Sequence, residues 1–234
     1  MTLELLRDAL IVSCQAPAGS PLRAPAHMAA MAQAAEAGGA RGIRAEGTAD
    51  IEAITRAVGL PVIGLRKLTQ AGTDVYITPT LESAREVLAA GAAVLAVDAT
   101  LRPRDDGTPP DAFIRRLNRE LAVPVLADVD TLEAGLRARE AGAAAVATTL
   151  SGYTGPDAPP EDPDLELVAA LAARLDCPVV AEGRFASPEQ VRAAFASGAF
   201  AVVVGTAITN PVALTQRFAA GTPIAAGGLV GDGA

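Results

Sequence analysis

"PVVAEGRFASPEQVRAAFASGAFAVVVGT", residues 178–206, contains one full repeat of the pattern that predicts the fold. An apolar strand (178–183) opens with proline, where no important ladder hydrogen bond is lost. A Ser-Pro-Glu sequence then supplies the N-cap and first residue of a helix (187–197). A glycine follows the helix, because that position favours a left-handed backbone, and a second apolar strand (201–206) begins. The stretch therefore predicts a β-α-β unit.

The same unit recurs along the whole chain. Strands three, five and seven open with Pro-Val, at Pro61, Pro124 and Pro178. A Gly-Ala pair precedes each even-numbered strand, and its glycines are Gly39, Gly91, Gly142 and Gly198. The predicted strands are 10–15, 42–46, 61–67, 94–99, 124–129, 144–150, 178–183 and 201–206. The predicted helices are about 28–37, 48–58, 81–90, 110–120, 131–141, 164–175, 187–197 and 211–220.

Eight nearly continuous apolar strands, each followed by a helix, predict an α/β protein with a parallel sheet covered by helices. Closing that sheet gives a single-domain (β/α)8 TIM barrel over residues 1–220. An open doubly wound sheet is the alternative, but a closed barrel better explains the even strand count and uniform alternation. Residues 221–234 show no period and are predicted to form a disordered tail.

The composition limits the class of partner and the compartment. A net charge of −8 argues against nucleic acid or an anionic membrane surface as the main partner. An anionic small molecule would need a locally positive site. Cys14 and Cys177 are too few for a disulfide framework, which indicates a reducing compartment. With acidic residues near the start and no long apolar run, we expect a soluble, cytoplasmic protein.

Polar residues collect where the predicted strands end. They are Gln15, Arg44, Lys67, Asp98, Asp128, Thr148, Thr149, Glu182, Gly205 and Thr206. In a (β/α)8 barrel the chemistry lies at the C-terminal ends of the strands. Asp128 and Glu182 stand four residues after their strand's proline and Lys67 stands six after its own. Even offsets share one face of a strand, so these three side chains are predicted to meet in one site.

Lys67 is the only lysine of the chain, and the other 18 of its 19 basic residues are arginines. Arginine supplies positive charge but does not release its proton, whereas lysine can when its surroundings lower its pKa. A proton-transfer or Schiff-base group therefore has to be lysine. The retention of one amine at a strand end makes Lys67 the first candidate for a catalytic residue.

Glycines at the last two strand ends predict a phosphate site. The loops after strands seven and eight of such barrels often bind phosphate through backbone N–H groups and a helix N-terminus. Gly183 and Gly205 would let the backbone approach a phosphate closely, and Arg184 and Thr206 would add donors.

Other candidates are weaker. His27, the only histidine, is predicted to be a helix cap or a surface residue, and Cys14 to pack in the barrel wall. Arg102 and Arg104 are expected to be solvated loop arginines. No His/Cys/carboxylate cluster has metal-ligand spacing, so no metal is predicted.

Nine motifs together resemble the N-acetylmannosamine-6-phosphate 2-epimerase family, in order, from about residue 8 to 219. They are LIVSCQA (10–16), GIRAEG (42–47), PVIGLRK (61–67), VYITPT (75–80), AVDATLRPR (96–104), ADVDTLEAG (127–135), TTLSGYT (148–154), AEGRFASPEQ (181–190) and AVVVGTAIT (201–209). TTLSGYT and SCQA are the most specific of them.

The resemblance implies a TIM-barrel isomerase that interconverts N-acetylmannosamine 6-phosphate and N-acetylglucosamine 6-phosphate in sialic-acid catabolism, without a metal or nucleotide cofactor. The family's catalytic lysine falls on Lys67 and its active-site glutamate on Glu182. Its substrate-positioning glutamine, arginine and aspartate fall on Gln15, Arg44 and Asp128. A homodimer is a possible assembly.

Two departures from the family pattern affect the site. The family usually follows its lysine with Arg-Asp-Tyr, whereas this chain has Leu68-Thr69-Gln70, which changes the loop over the lysine. The family usually has arginine where this chain has Asn210, which changes phosphate anchoring. Arg184 is the expected compensator, with Asn210 as a weaker phosphate ligand.

Epimerisation at C2 of the open-chain sugar requires removing a proton beside the C1 aldehyde and returning it on the opposite face. Neutral Lys67 is the expected base, so its pKa must fall well below the ordinary value of about 10.4. Arg44 and Arg66 would lower this pKa, while Asp128 and Glu182 would raise it.

Two alternatives remain at this stage. Lys67 could form a Schiff base in an aldolase, which borohydride would trap. The barrel could also be a non-catalytic sugar-phosphate binder, which would show no solvent exchange at C2.

Overall fold

Eight parallel strands close into a barrel in the computed structural model, which describes residues 3–69 and 72–223. Each strand pairs with the next along the chain, and β8 returns to pair with β1, so the open doubly wound sheet is excluded. The predicted (β/α)8 fold is confirmed. The strands are β1 Ala9–Cys14, β2 Gly42–Glu46, β3 Val62–Leu65, β4 Val94–Asp98, β5 Val125–Asp128, β6 Ala145–Ala147, β7 Val179–Glu182 and β8 Ala201–Val204.

Helices surround the barrel close to the predicted positions. They are α1 Pro25–Ala37, α2 Thr48–Ala57, α3 Leu81–Ala89, α4 Pro110–Leu121, α5 Leu132–Glu140, α6 Leu165–Arg174, α7 Pro188–Ala196, α8 Thr206–Thr209 and α9 Pro211–Ala219. A 3-10 helix, Leu3–Leu6, precedes β1. Ser187 caps α7 by accepting the Gln190 N–H at 3.3 Å. The four glycines that precede the even strands all have positive φ, between 95° and 103°, as predicted.

The core has two layers because successive strand residues point to opposite faces. Outward-facing side chains pack against the helices, and inward-facing ones fill the barrel with small and β-branched residues such as Ile63, Ala96 and Val203. Leu6 closes the N-terminal end from below. Gly42 is needed there, because a Cβ at that position would lie 2.5 Å from a Leu6 methyl carbon. The opposite, C-terminal end of the barrel stays open.

Three strands end two or three residues earlier than predicted, and four others end one residue earlier. β3 ends at Leu65, β6 at Ala147 and β8 at Val204, so Lys67, Thr149 and Thr206 lie beyond the ladder. Lys67 instead forms an isolated antiparallel bridge to Ile77, and Thr206 begins the short helix α8. The apolar run sets where a strand lies, but its last residues depend on whether a neighbouring strand extends equally far.

The predicted tail begins at residue 221, and residues 224–234 lie outside the described part of the chain. Within the described part, no helix is both long enough and apolar enough to cross a membrane.

Candidate active site

A cavity of about 740 Å³ opens at the C-terminal end of the barrel, where the sequence predicts the site. Of the predicted strand-end residues, Glu182 lines this cavity from the end of β7, and Gln15 and Lys67 line it from the segments just after β1 and β3. The loops after β7 and β8 form one side of its wall. The structure therefore brings the predicted strand-end residues together at one end of the barrel.

Arg44 joins three strands through a buried ion-pair network. Its guanidinium donates two hydrogen bonds to Asp128, at 3.0 and 2.6 Å, and lies 3.0 Å from Oε2 of Glu182. The Arg44 and Asp128 side chains are 1% and 0% exposed, and neither is among the cavity-lining residues. Because a buried charge without its partner is costly, each of these groups needs the other two. Arg44 and Asp128 thus hold the Glu182 carboxylate in position from behind.

The Glu182 side chain faces the cavity, and only one of its two carboxylate oxygens has partners among the described residues. Oε2 contacts Arg44 and lies 3.1 Å from the Thr149 hydroxyl, whereas Oε1 has no hydrogen-bond partner among the described residues. Burial raises the pKa of Glu182, and the positive charge of Arg44 opposes that increase. The free oxygen of this carboxyl can exchange a proton with a bound molecule.

Lys67 is held at both its backbone and its amine. Its N–H donates to Oε1 of Glu46 at 3.2 Å, and its Nζ donates to Oε1 of Gln15 at 2.8 Å. The Gln15 amide in turn donates to the Ser13 hydroxyl at 2.9 Å. A relay on β1 therefore fixes the position of the amine. The sequence motif SCQA contains both relay residues but gives no sign that they contact Lys67.

Burial lowers the pKa of Lys67, and the nearby positive charge of Arg44 lowers it further. Glu46, Glu182 and Asp128 act in the opposite direction. The expectation that Arg66 would contribute fails, because Arg66 turns outward and lies 3.2 Å from Glu86. The net effect is a lowered pKa of Lys67, which increases the fraction of the neutral amine, the form that can accept a proton.

The predicted phosphate residues all line the same wall of the cavity. Gly183 and Arg184 both have positive φ, 115° and 63°, so the backbone turns sharply just after β7. Thr206 lies in the first turn of α8, where backbone N–H groups have no intrahelical acceptor. Gly205 directly precedes it. This wall therefore offers backbone donors to an anion.

Two side chains predicted to bind phosphate already have partners. The Arg184 guanidinium donates to the carbonyls of Asp162, at 2.7 Å, and Ser151. Oδ1 of Asn210 caps α9 by accepting the Ala213 N–H at 3.1 Å. Both residues nevertheless remain in the cavity wall.

Sequence reasoning missed several cavity residues, among them Tyr76, Glu46 and Arg217. Arg217 follows Asn210 by about two helical turns and shares a face of α9 with Ala213, which also lines the cavity. That spacing was a usable signal. Tyr76 lies in a loop, and no periodicity pointed to it.

The expectation of solvated loop arginines is wrong for Arg104. This residue is buried, donates to the carbonyls of Pro79 and Asp98, and stacks over Phe113 with its Cζ 3.9 Å from the ring centre. Arg102 is mostly buried and pairs with Asp98 at 2.7 Å. The sequence showed charged residues in a loop but not the carbonyls and the ring against which they fold.

The predictions for two further side chains, His27 and Cys14, agree with the structure. His27 is exposed in the first turn of α1 and does not cap it, since Ala24 is the N-cap residue. Cys14 is buried in the barrel wall, and burial raises the pKa of its thiol to about 12. Among residues 3–69 and 72–223, no group of three or more His, Cys, Asp or Glu is arranged to hold a metal ion.

Comparison with known proteins identifies the family. The family model described as "Putative N-acetylmannosamine-6-phosphate epimerase" (NanE) matches residues 28–223. A relative from Cutibacterium acnes, named "Putative N-acetylmannosamine-6-phosphate 2-epimerase", is 51% identical over 89% of this chain and 91% of its own. A relative of the same name from Caldanaerobacter subterraneus is 46% identical over 92% of each chain.

A solved structure agrees with the sequence comparisons. The N-acetylmannosamine-6-phosphate 2-epimerase from Clostridium perfringens superposes with a TM-score of 0.89 at 38% identity, over 94% of this chain and 95% of that one. The match to the family model spans most of the barrel, including the strand ends that carry Arg44, Lys67, Asp128 and Glu182. The chain belongs to the N-acetylmannosamine-6-phosphate epimerase family.

Proposed function

We propose that this protein is an isomerase that interconverts N-acetylmannosamine 6-phosphate and N-acetylglucosamine 6-phosphate by removing and returning the proton at C2. One observation carries the proposal beyond family membership: the only lysine lies in the cavity with a lowered pKa, opposite a carboxyl with a raised pKa. Opposed shifts of this kind are typical of an acid–base pair. The reaction would belong to amino sugar catabolism, including that of sialic acid, and needs no cofactor.

The barrel geometry suits an inversion. β3 and β7 are four strands apart in an eight-stranded barrel, so the strand that precedes Lys67 and the strand that ends at Glu182 lie on opposite sides of the barrel. Neutral Lys67 takes the C2 proton, and the C–H electrons move towards the C1 carbonyl oxygen to form an enolate. Protonation of C2 from the other face, by Glu182, gives the epimer, and in the reverse direction the two groups exchange roles.

Gln15, Arg44 and Asp128 have supporting roles in this mechanism. Gln15 holds the Lys67 amine by accepting one of its hydrogens, which leaves the lone pair of the neutral amine available. Arg44 and Asp128 fix the orientation of Glu182 and set the charge around it. We therefore propose that Arg44 and Asp128 act mainly through Glu182, since the cavity lining does not include them.

Hydrogen–deuterium exchange at C2 tests the function directly. In D₂O, the protein should replace the C2 hydrogen of N-acetylmannosamine 6-phosphate with deuterium while N-acetylglucosamine 6-phosphate appears, both visible by proton NMR. A non-catalytic sugar-phosphate binder would give neither signal. Borohydride trapping separates the aldolase alternative, because a Schiff base would leave a reduced adduct on Lys67, the only lysine.

We propose that the phosphate binds at the wall formed by the loops after β7 and β8. Backbone N–H groups around Gly183, Gly205 and Thr206 supply uncharged donors. Asn210 has its amide nitrogen left for the phosphate while its oxygen caps α9. Arg184 is tied to two carbonyls, so it is a weaker compensator than expected. Arg217 has no ion pair among the described residues and lines the same wall, which makes it the stronger candidate for the counter-charge.

Arg217→Gln should raise KM for N-acetylmannosamine 6-phosphate about 10- to 100-fold, the value of one charge-assisted hydrogen bond. The turnover number should hardly change, because the phosphate is remote from C2. The measurement is steady-state kinetics with the phosphorylated and the unphosphorylated sugar. Arg192→Gln is the matched control, because Arg192 pairs with Glu189 on α7 and does not line the cavity. An equal KM increase for both sugars would contradict a role in phosphate binding.

We also propose a cytoplasmic homodimer. The two cysteines are free thiols, as is usual in a reducing compartment. Helix α9 has no buried residue and leaves Val212 and Phe218 exposed, the latter at 80%. Exposed apolar side chains on a helix that buries none of its residues are a natural contact for a second copy.

Phe218→Ser should weaken the dimer about 30-fold or more, as expected for the loss of a buried aromatic anchor. Light scattering over a concentration series measures this change. Leu5→Ser is the control, because Leu5 is similarly exposed but precedes β1, at the opposite end of the barrel. A wild-type protein that stays monomeric, or equal dissociation of the two variants, would show that α9 is not the interface.

A further inference from the structure

Removal of the C2 proton places negative charge on the C1 carbonyl oxygen, and that oxygen needs a hydrogen-bond donor in the cavity. The hydrogen-bond donors with a role in the proposed mechanism already serve other partners. Arg44 uses its terminal nitrogens on Asp128 and Glu182, and its Nε is buried without a partner. Lys67 is the base and donates to Gln15, whose own amide donates to Ser13. None of the groups with a role in the mechanism is therefore free to donate to the developing oxyanion, and the Ser13 hydroxyl, which also lines the cavity, is the alternative donor to Tyr76.

Tyr76 lies in the cavity lining on a short antiparallel ribbon that also carries Lys67. The Leu68 N–H donates to the Tyr76 carbonyl at 3.0 Å, and Lys67 bridges to Ile77. The phenol is half-buried, and its hydroxyl has no hydrogen-bond partner among the described residues. The base and a free hydroxyl donor are thus held on one small backbone unit.

The ribbon is anchored by strained backbone. Thr78 is fully buried with φ of 44°, a conformation that a β-branched residue rarely adopts. Its N–H donates to the Arg66 carbonyl at 2.7 Å, and its hydroxyl donates to the Ala96 carbonyl at 2.7 Å. Strain of this kind persists where the surroundings impose a functional geometry. Here it fixes the ribbon, and with it Tyr76, against the end of β4.

The surroundings of the phenol keep it protonated. Burial raises the pKa of Tyr76, and the negative charges of Asp128 and Asp98 raise it further, against smaller opposing effects of Arg102 and Arg44. A phenol that stays neutral at physiological pH can donate a hydrogen bond but does not compete with Lys67 for the proton.

We propose that Tyr76 is a further catalytic residue, whose hydroxyl donates a hydrogen bond to the C1 carbonyl oxygen of the open-chain substrate as the enolate forms. The inference rests on the proposed epimerase function. Lys67 takes the proton from C2, the C–H bond electrons become the C1–C2 double bond, and the carbonyl electron pair moves onto O1. The Tyr76 hydroxyl stabilises that oxygen while keeping its own proton. When C2 is protonated on the other face, the electrons return and the carbonyl reforms.

Tyr76→Phe tests the proposal, because it removes one oxygen and keeps the ring. Turnover should fall about 10²–10³-fold, the usual loss for one donor of an oxyanion site, while KM changes little. C2 deuterium exchange should fall by the same factor, because enolate formation itself is slowed. Tyr153→Phe is the comparison variant at the only other tyrosine of the chain, which also lines the cavity, is 48% exposed and lies against the Arg184 side chain. Its turnover should fall much less than that of Tyr76→Phe, because the ring that contacts Arg184 remains and its hydroxyl has no role in the proposed step.

Titration of the phenol gives a readout that does not depend on activity. In the Tyr153→Phe protein Tyr76 is the only tyrosine, so phenolate ultraviolet absorbance reports its ionisation alone. That absorbance should appear only above the ordinary tyrosine pKa of about 10.

Several results would overturn the proposal while leaving the epimerase function intact. They are a turnover loss below threefold (~0.6 kcal/mol) in Tyr76→Phe, a KM increase without a turnover loss, and ionisation of Tyr76 below the ordinary pKa. A greater loss in Ser13→Ala than in Tyr76→Phe would assign the donor to Ser13 instead. Failure of the wild type to exchange deuterium at C2 would instead contradict the proposed function.

Discussion

Lys67→Arg should fold like the wild-type protein and lose about 10⁴-fold or more in turnover, the upper end of what a positioned general base contributes. Arginine keeps the positive charge and approximate size but cannot become a neutral base. The measurement is turnover of N-acetylmannosamine 6-phosphate, with thermal unfolding to check the fold. Lys67→Met is the companion variant, since it removes both the charge and the base. If Lys67→Arg were active and Lys67→Met were not, charge alone would be required and the acid–base role would be wrong.

The single lysine also allows its pKa to be measured without assignment. Selective ¹⁵N-lysine labelling gives one side-chain signal, because Lys67 is the only lysine of the chain. Burial and the charge of Arg44 lower its pKa, so the signal should titrate below the ordinary value of about 10.4. The neutral amine is the active form, so kcat/KM should rise as pH increases through that same pKa. A Lys67 that titrates at or above the ordinary value would contradict the proposed base.

Glu182→Gln should lower turnover about 10²–10⁴-fold if the carboxyl transfers a proton. Glutamine keeps the size and can still accept a hydrogen bond from Arg44, but it cannot donate or accept the reacting proton. Burial raises the pKa of Glu182, so its ionisation should appear in the pH profile of kcat/KM above the ordinary glutamate range and should vanish in the variant. Steady-state kinetics across pH measures both effects.

Thr149→Val is the matched comparison for Glu182→Gln. Valine removes the Thr149 hydroxyl, which lies 3.1 Å from the same carboxylate oxygen and donates to Oδ1 of Asp128 at 2.7 Å, but it leaves the acid in place. We expect a loss of about tenfold or less, because neither hydrogen bond carries the reacting proton. Should Glu182→Gln lose no more than Thr149→Val, Glu182 would only orient its neighbours and Lys67 would have to act on both faces.

Much of the candidate site follows from the barrel rule once the strands are located. Lys67, Asp128 and Glu182 were predicted to share a site because strand ends of a barrel converge. Lys67 and Glu182 do line one cavity, whereas the buried Asp128 is not part of its lining. The barrel rule predicts that residues at the strand ends lie near one another, but it does not predict which side chains contact each other. It did not indicate that Lys67 bonds to Gln15, or that Arg44 lies behind Glu182 rather than in the cavity lining. Those relations depend on side-chain directions at the ends of several strands.

The sequence by itself determined the eight β-α units, their order and the end of the barrel that carries the polar residues. It could do so because these features are local: the alternation of strand residues, the helical period, proline at strand starts and glycine after helices act within a few residues. The presence of a single lysine can likewise be read from the sequence without knowing the fold. Its chemistry does not depend on the fold, so the amine could be singled out before its surroundings were known.

Only the tertiary structure decided which charges are buried, which are paired and which are free to react. Arg44 and Asp128 are 84 residues apart in the chain but form two hydrogen bonds inside the barrel. Arg104 is buried against Phe113 although its loop looks solvated, and Tyr76 reaches the cavity on a ribbon that no periodicity marks. The physical reason is the same in each case. The free energy of a charge or hydroxyl is set by the dielectric and the partners around it, and closure of the barrel brings those partners from distant parts of the chain.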